Sequence, residues 1–163
     1  MPADIRPARH GELDELARIL EHAAPNICPV PSRAALERAQ AAGELFVLAD
    51  DDELLGCVRL DRVEPPEYGR VPWEYAAAPG RALVVHALHV LPEHARRGHG
   101  TRFMRFALAR ARELGCTVVR LDAWGSATAA LGLYDALGFH TAARAAVLRD
   151  GTADEQVFLE RRV

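Results

Sequence analysis

The chain has 163 residues, half of them hydrophobic and 26% charged, with a formal net charge of −3. That length suits one domain with its own core, expected over residues 1–163. The charge balance offers no footprint for a nucleic acid, and no apolar run approaches the roughly 20 residues that span a bilayer. The opening stretch Met1–Arg6 lacks the apolar segment of a secretion signal. Cys28, Cys57 and Cys116 lie far apart with no metal-ligand spacing, so they read as reduced thiols of a cytoplasmic protein without a metal centre.

Ile5-Arg6-Pro7-Ala8 reads as a short opening strand. Residues 11–22 read as an amphipathic helix, with Leu13, Leu16, Ala17 and Leu20 on one face and Asp14 and Glu15 in a first turn where the helix dipole favours acids. A proline-broken loop over 23–31 holds Pro25, Asn26, Cys28 and Pro29. Ser32 then caps a second helix that ends near Gly43. Strands at Leu45–Ala49 and Leu54–Leu60 flank the polar turn Asp50-Asp51-Asp52-Glu53, which makes them a hairpin. The acidic triplet reads as a solvated tip, because three adjacent carboxylates on so short a turn do not converge on one ion. Residues 61–81 are the least regular, with Pro65, Pro66, Pro72 and Pro79 interleaved with Tyr68, Trp73, Glu74 and Tyr75. Their aromatic rings suit ligand contact and suit equally a lid or strand edge packed on the core.

Residues 83–104 organise the rest. Leu83 to Leu91 reads as a strand that stops at Pro92. Phe103, Met104, Ala107, Leu108, Ala111 and Leu114 form a helical apolar stripe. Between them, Gly98 and Gly100 let backbone N–H groups come close to a ligand. The loop opens a helix whose first N–H groups lack internal partners and carry the positive end of its dipole, and Arg96 and Arg97 add formal charge. The combination makes an anion site, with a phosphate group as its natural guest. The residues alone also admit an ordinary strand-to-helix turn with solvated arginines.

Gly115 stops the helix and Thr117–Ala123 reads as the next strand, so 83–123 is a strand–helix–strand crossover with a parallel strand pair. Ser126 is expected to cap a helix that buries Ala130, Leu133, Tyr134 and Leu137 and ends at Gly138. A strand from Phe139 to about Leu148, the Asp150-Gly151 turn and a last strand over Gln156–Arg161 complete an antiparallel pair. The expected architecture is α/β, a central mixed sheet flanked by about four helices.

Two motifs carry a family resemblance. Val90-Leu91-Pro92 with Ala95-Arg96-Arg97-Gly98-His99-Gly100 fits a pattern of strand, Val-x-Pro, then Gln/Arg-x-x-Gly-x-Gly/Ala before an apolar helix. Ala130-Leu131-Gly132-Leu133-Tyr134 with Gly138-Phe139 fits a later Ala-x-x-Leu-Tyr pattern followed by Gly-Phe. In that order and separated by a βα unit, they resemble the GNAT superfamily of acetyl-CoA-dependent N-acetyltransferases, and the likeness covers nearly the whole chain. It implies a GNAT-like acyl-CoA N-acyltransferase fold and direct transfer of an acetyl group from acetyl-CoA to a primary amine. By that resemblance the N–H groups of Arg96, Arg97, Gly98, His99, Gly100 and Thr101 would hold the cofactor's pyrophosphate. Leu88, His89 and Val90 would bond its pantetheine arm, one of their N–H groups polarising the thioester oxygen. Tyr134 matches the family position that protonates the departing thiolate. The chemistry fits, since a phenol and a thiol ordinarily titrate near pH values of about 10 and 8.5.

The chain departs from the pattern in two places. Ala95 stands where the family often has Gln or Arg, and Ala127 where an Asn often holds the cofactor arm, leaving Ser126 or Thr128 as poor nearby substitutes. The base is not given by the motif, because the glutamate of some relatives falls at Val84. His86 is two residues further along the same strand face if no bulge intervenes, and an imidazole suits proton removal near neutrality. By simple alternation His89 points the other way. Glu74 is the loop alternative. The acceptor implied is a small molecule, an amino acid or a peptide terminus, and relatives often form homodimers. The rival readings are a non-catalytic acyl-CoA-binding or sensor domain and a protein N-acetyltransferase.

Overall fold

The computed structural model describes residues 2–23, 26–27 and 29–163, so the readings placed on Pro25 and Cys28 lie outside the described residues. The strands are β1 (Asp4–Pro7), β2 (Leu45–Asp50), β3 (Glu53–Asp61), β4 (Ala82–Val90), β5 (Val118–Trp124), β6 (His140–Arg149) and β7 (Thr152–Arg162). The helices are α1 (Leu13–Ala23), α2 (Arg33–Ala41), α3 (His99–Glu113) and α4 (Thr128–Ala136), with short 3-10 turns at His10–Glu12, Pro66–Arg70 and Pro92–His94. The strands form one mixed sheet in the order β1-β2-β3-β4-β5-β7-β6, and β4 and β5 are the parallel pair that the crossover requires. The α/β expectation holds.

The chain forms two compact units: residues 1–61 with 85–106, and residues 62–84 with 107–163. In the first unit, α1 and α2 bury Leu13, Leu16, Leu20, Leu36 and Ala39 against Leu45, Val47 and Ala49 of β2 and Leu54 and Cys57 of β3. The spacing of these side chains on α1 is the helical stripe that the sequence carries, and alternation along β2 puts the odd positions on this face. Phe46 points the other way, edge-on to Phe106 of α3 with ring centroids 4.9 Å apart. Ser32 caps α2 as expected, its Oγ accepting the Ala35 N–H at 3.1 Å.

Gly56 interrupts the apolar run of β3 for a spatial reason. A Cβ there would lie 2.5 Å from the His89 carbonyl oxygen and 3.0 Å from the Phe103 ring. The absence of a side chain is what lets β4 and α3 approach β3 this closely.

In the second unit, Tyr68, Val84 and Phe158 are buried together, with Trp73, Val71, Ala143 and Ala145 packed on them. Trp73 therefore packs on the core, in line with the second of the two readings of the 61–81 segment, and Tyr68 belongs to the buried cluster itself. Below them lies a polar network centred on Glu160, which is fully buried. Its Oε1 accepts the Tyr75 N–H at 2.8 Å, and its Oε2 lies 3.9 Å from Arg120 Nε. Arg120 also donates to Glu64 Oε1 and to the Tyr75 carbonyl, both at 2.6 Å, and its guanidinium stacks on Trp73 at 4.5 Å. These bonds pin the irregular 62–81 segment to β5 and β7 without regular secondary structure.

Asp150 and Gly151 are both left-handed, with φ of 49° and 78°, and close the β6–β7 hairpin. β7 begins at Thr152, four residues earlier than the alternating pattern at Gln156–Arg161 predicts. The early part, Thr152–Glu155, pairs with Ala146–Arg149 across the turn and carries exposed or half-buried side chains, so no apolar alternation marks it. Among the described residues, no helix is long and apolar enough to cross a membrane.

Candidate active site

The glycine loop sits in the first unit. β4 ends at Val90, a 3-10 turn runs over Pro92–His94, and α3 starts at His99. Arg96 and Gly98 are both left-handed, with φ of 61° and 81°. A Cβ on Gly98 would meet nothing within 4 Å, so its φ, not crowding, demands glycine there. A non-glycine residue in the same region, as Arg96 is, marks stored backbone strain of the kind that gathers at ligand sites. The helical ladder opens with the Arg102 N–H donating to the Gly98 carbonyl at 3.0 Å. The N–H groups of His99, Gly100 and Thr101 precede it and have no helical acceptor.

Cationic groups surround this turn. His99 is shifted below the ordinary imidazole range, first by burial and then by the charges of Arg102, His94 and Arg97. Its Nδ1 is buried with no hydrogen-bond partner. Such a concentration of positive charge and unengaged donors is suited to an anion.

Upstream on β4, Ala87 has a φ of 51°, a left-handed residue inside a strand. It packs against the α1–α2 cluster, and its carbonyl accepts the Cys57 thiol at 3.7 Å. Side-chain alternation does not carry across such a residue. The opposite orientation of His86 and His89 expected from simple alternation therefore does not follow. Residues His86–Val90 are half-buried, unlike the fully buried Ala82–Val85 before them. Burial lowers the His89 imidazole pKa, with Glu93 opposing.

His86 has a partner that the motifs do not reveal. Its Nε2 lies 3.2 Å from Oδ1 of Asp61, the last residue of β3, and Asp61 is only 7% exposed. The other Asp61 oxygen accepts from Arg59. Asp61 fixes the imidazole, and Arg59 balances the charge of the carboxylate. The signal in the sequence is a lone acid closing an apolar strand, which is too common to single out.

The remaining candidates lie in the second unit. Tyr134 of α4 is 7% exposed and rests edge-on against Phe139. Its phenol is pushed up to about 12, first by burial and then by the nearby Asp122 carboxylate. Val84, at the position where some relatives carry a glutamate, is completely buried in a cluster with Tyr68 and Phe158. Glu74 is ion-paired with His140 at 3.1 Å, and the same imidazole nitrogen is 3.4 Å from Glu160. Ser126 does not cap α4. The capping position is Ala127 without a side-chain bond, and the Ser126 Oγ donates instead to Asp154 Oδ2 at 2.7 Å. A cofactor contact from Ser126 would have to compete with that carboxylate. Among the described residues, no three His, Cys, Asp or Glu side chains gather as metal ligands.

The strand, left-handed turn and helix of the loop, with the mixed seven-stranded sheet, define an acyltransferase architecture. The family model described as the acetyltransferase (GNAT) family matches residues 13–139, and the chain belongs to that family. Among solved structures, it is similar to an N-acetyltransferase from Staphylococcus aureus Mu50, with a TM-score of 0.79, 16% identity and 99% of each chain covered. It is also similar to a ribosomal-protein-alanine N-acetyltransferase from Brucella melitensis, at a TM-score of 0.77 and 17% identity over 98% of this chain and 99% of that one. A third is a phosphinothricin acetyltransferase from Sinorhizobium meliloti in complex with AcCoA, at a TM-score of 0.78 and 19% identity over 100% of this chain and 89% of that one. No curated protein sequence matches the chain.

Proposed function

We propose that the protein transfers the acetyl group of acetyl-CoA to a primary amine of a small molecule, an amino acid or a peptide. The observation that carries the reading is the turn at 96–101. Two left-handed residues, Arg96 and Gly98, lead into the head of α3, where Arg97 and Arg102 act on the half-buried His99 imidazole. Arg96 to Thr101 are the residues suited to the cofactor's pyrophosphate, and Leu88, His89 and Val90 to its pantetheine arm. Acetyl-CoA supplies the activated thioester. The backbone donors survive the replacement of the usual Gln or Arg by Ala95, since they belong to the main chain.

Binding is tested through His99. In the free protein its imidazole is held below the ordinary range by burial and by neighbouring cations. A pyrophosphate placed among those cations favours the imidazolium, so the His99 pKa rises on binding and a proton is taken up. CoA affinity should therefore strengthen as pH falls from 8 to 6. Histidine NMR titrations with and without CoA should show one imidazole moving upward. Unchanged histidine titrations alongside saturable CoA binding would take the pyrophosphate away from this turn. Release of thiol from acetyl-CoA on addition of a primary amine is the test of catalysis. CoA binding without thiol release across such amines would favour the non-catalytic acyl-CoA-binding reading.

His86 is the proposed base. A half-buried imidazole held by a carboxylate is the arrangement that removes a proton from an ammonium, directly or through water. Glu74 has the weaker claim, because its carboxylate is occupied by His140. Replacing His86 with Ala should lower kcat/KM about 100-fold at pH 7. A kcat/KM within two-fold of the unaltered protein in His86→Ala would pass the role to another group.

A further inference from the structure

The carboxylate of Asp122 has hydrogen bonds but no counter-charge. It lies in the second unit on β5, half-buried, on the strand face it shares with Arg120 and Trp124. Its Oδ1 accepts the Tyr68 hydroxyl at 2.6 Å and its Oδ2 accepts the Gln156 amide at 3.1 Å. Both donors are neutral. Among the described residues, no arginine or histidine forms an ion pair with it, whereas the buried acids Asp61 and Glu160 are matched. Asp61 has Arg59 and His86, and Glu160 has Arg120 and His140.

A carboxylate offers about four lone-pair positions, and two of these are taken by neutral donors that fix its orientation. The two that are left, and the charge itself, have no partner among the described residues. A charge withdrawn from water without a partner is unfavourable, so a carboxylate held this rigidly is suited to a cation supplied from outside. Its field reaches the phenol of Tyr134, which it raises after burial, and that of Tyr68 in the same way. Tyr68, which holds Asp122, is itself fixed by packing on Trp73 and Phe158, its ring centroid 5.3 Å and 5.8 Å from theirs. The face of Trp73 is already used by Arg120, leaving Asp122 as the cation-binding group here.

We propose that Asp122 is the specificity residue for the acceptor, receiving the ammonium of a cationic primary amine on the carboxylate edge left open by Tyr68 and Gln156. The assignment rests on the acetyltransferase reading and selects, within it, amines that arrive charged. Two of the ammonium's three N–H donors match the open carboxylate positions, and neutral hydroxyl or thiol acceptors lack the charge that Asp122 needs.

The test uses the full chain with CoA present at pH 7 and three probes: an amino acid amide, an aliphatic diamine and a short peptide with a free N-terminus. Amine binding is followed by the side-chain amide resonances of Gln156, independently of turnover, and thiol release from acetyl-CoA is followed in parallel. At least one amine should shift the Gln156 resonances saturably. Asp122→Asn, which keeps an acceptor for Tyr68, should raise the half-saturating amine concentration and the amine KM at least 10-fold. CoA affinity and thermal midpoint should stay unchanged, and Asp122→Glu should recover part of the loss. A merely structural Asp122 would instead lower the thermal midpoint and leave the amine KM alone, which overturns the proposal. Normal thiol release with an unchanged KM in Asp122→Asn would sink the Asp122 assignment and leave the acetyltransferase reading standing. Saturable, Asp122-dependent amine binding without thiol release from any probe would do the reverse. Gln156 resonances indifferent to every amine would also overturn it.

Discussion

The Tyr134→Phe variant should lose on the order of 100-fold in kcat for acetyl transfer while binding acetyl-CoA as tightly as the unaltered protein. The substitution removes one oxygen from a nearly buried ring and keeps the contact with Phe139. Packing and cofactor affinity should therefore be spared, and the defect should appear in kcat rather than KM. The burial that raises the phenol to about 12 has a direct consequence. A group with a raised pKa keeps its proton over a wider range, so at pH 10 only about 1% of Tyr134 is ionised, against half of an ordinary tyrosine. The acid form is therefore intact throughout the range in which a thiolate must be protonated, and loss of activity between pH 8 and 10 should not come from Tyr134. Stopped-flow measurement of thiol release with Tyr134→Phe checks the claim. A rate within two-fold of the unaltered protein would remove Tyr134 from the acid role.

The framework of the site is readable in the sequence because its parts are local. The 3.6-residue stripe from Phe103 to Leu114 predicts α3, and Pro92 ends β4 within a residue of where the structure ends it. Gly98, Gly115, Gly138 and Gly151 all adopt the left-handed conformations that stop helices or turn chains. What the sequence does not carry is what tertiary packing decides. Ala87 is a common strand or helix residue, and nothing in its neighbours announces a φ of 51°. That one angle breaks the alternation on which the relative orientation of His86 and His89 depends. The Asp61–His86 contact joins residues 25 apart in sequence. The Tyr68–Asp122 bond joins residues 54 apart. Neither has a local signature. Ser126 misleads for the opposite reason. It has the right chemistry for a cap and stands next to the right place, but Asp154, facing it from β7, takes both its hydroxyl and its N–H. Side-chain preference for a cap is about 1 kcal/mol, small enough for one carboxylate to override.

Removing the Glu160 side chain should be the most damaging single change to stability in the second unit. Glu160 is fully buried and its carboxylate serves three elements: the Tyr75 N–H from the 62–81 segment, Arg120 on β5, and His140 on β6. In Glu160→Ala the Tyr75 N–H loses its acceptor inside the protein, and Arg120 keeps only Glu64 and the Tyr75 carbonyl against its charge. Breaking one partner of a buried ion pair typically costs about 3–5 kcal/mol, most of it the penalty of the charge left behind. For a chain of this size, that corresponds to a drop in Tm on the order of 10 °C, measurable by calorimetry. Glu160→Gln separates the two contributions, since its amide oxygen still accepts from Tyr75 while the negative charge is gone. It should fall between the unaltered protein and Glu160→Ala. Equal losses in the two variants would mean that the charge matters and the bond to Tyr75 does not. Besides these polar anchors, the 62–81 segment is held by the Tyr68–Trp73–Phe158 cluster, the Tyr68–Asp122 bond and the Glu74–His140 pair. It should therefore become protease-sensitive in Glu160→Ala at temperatures where the strands of the sheet remain folded.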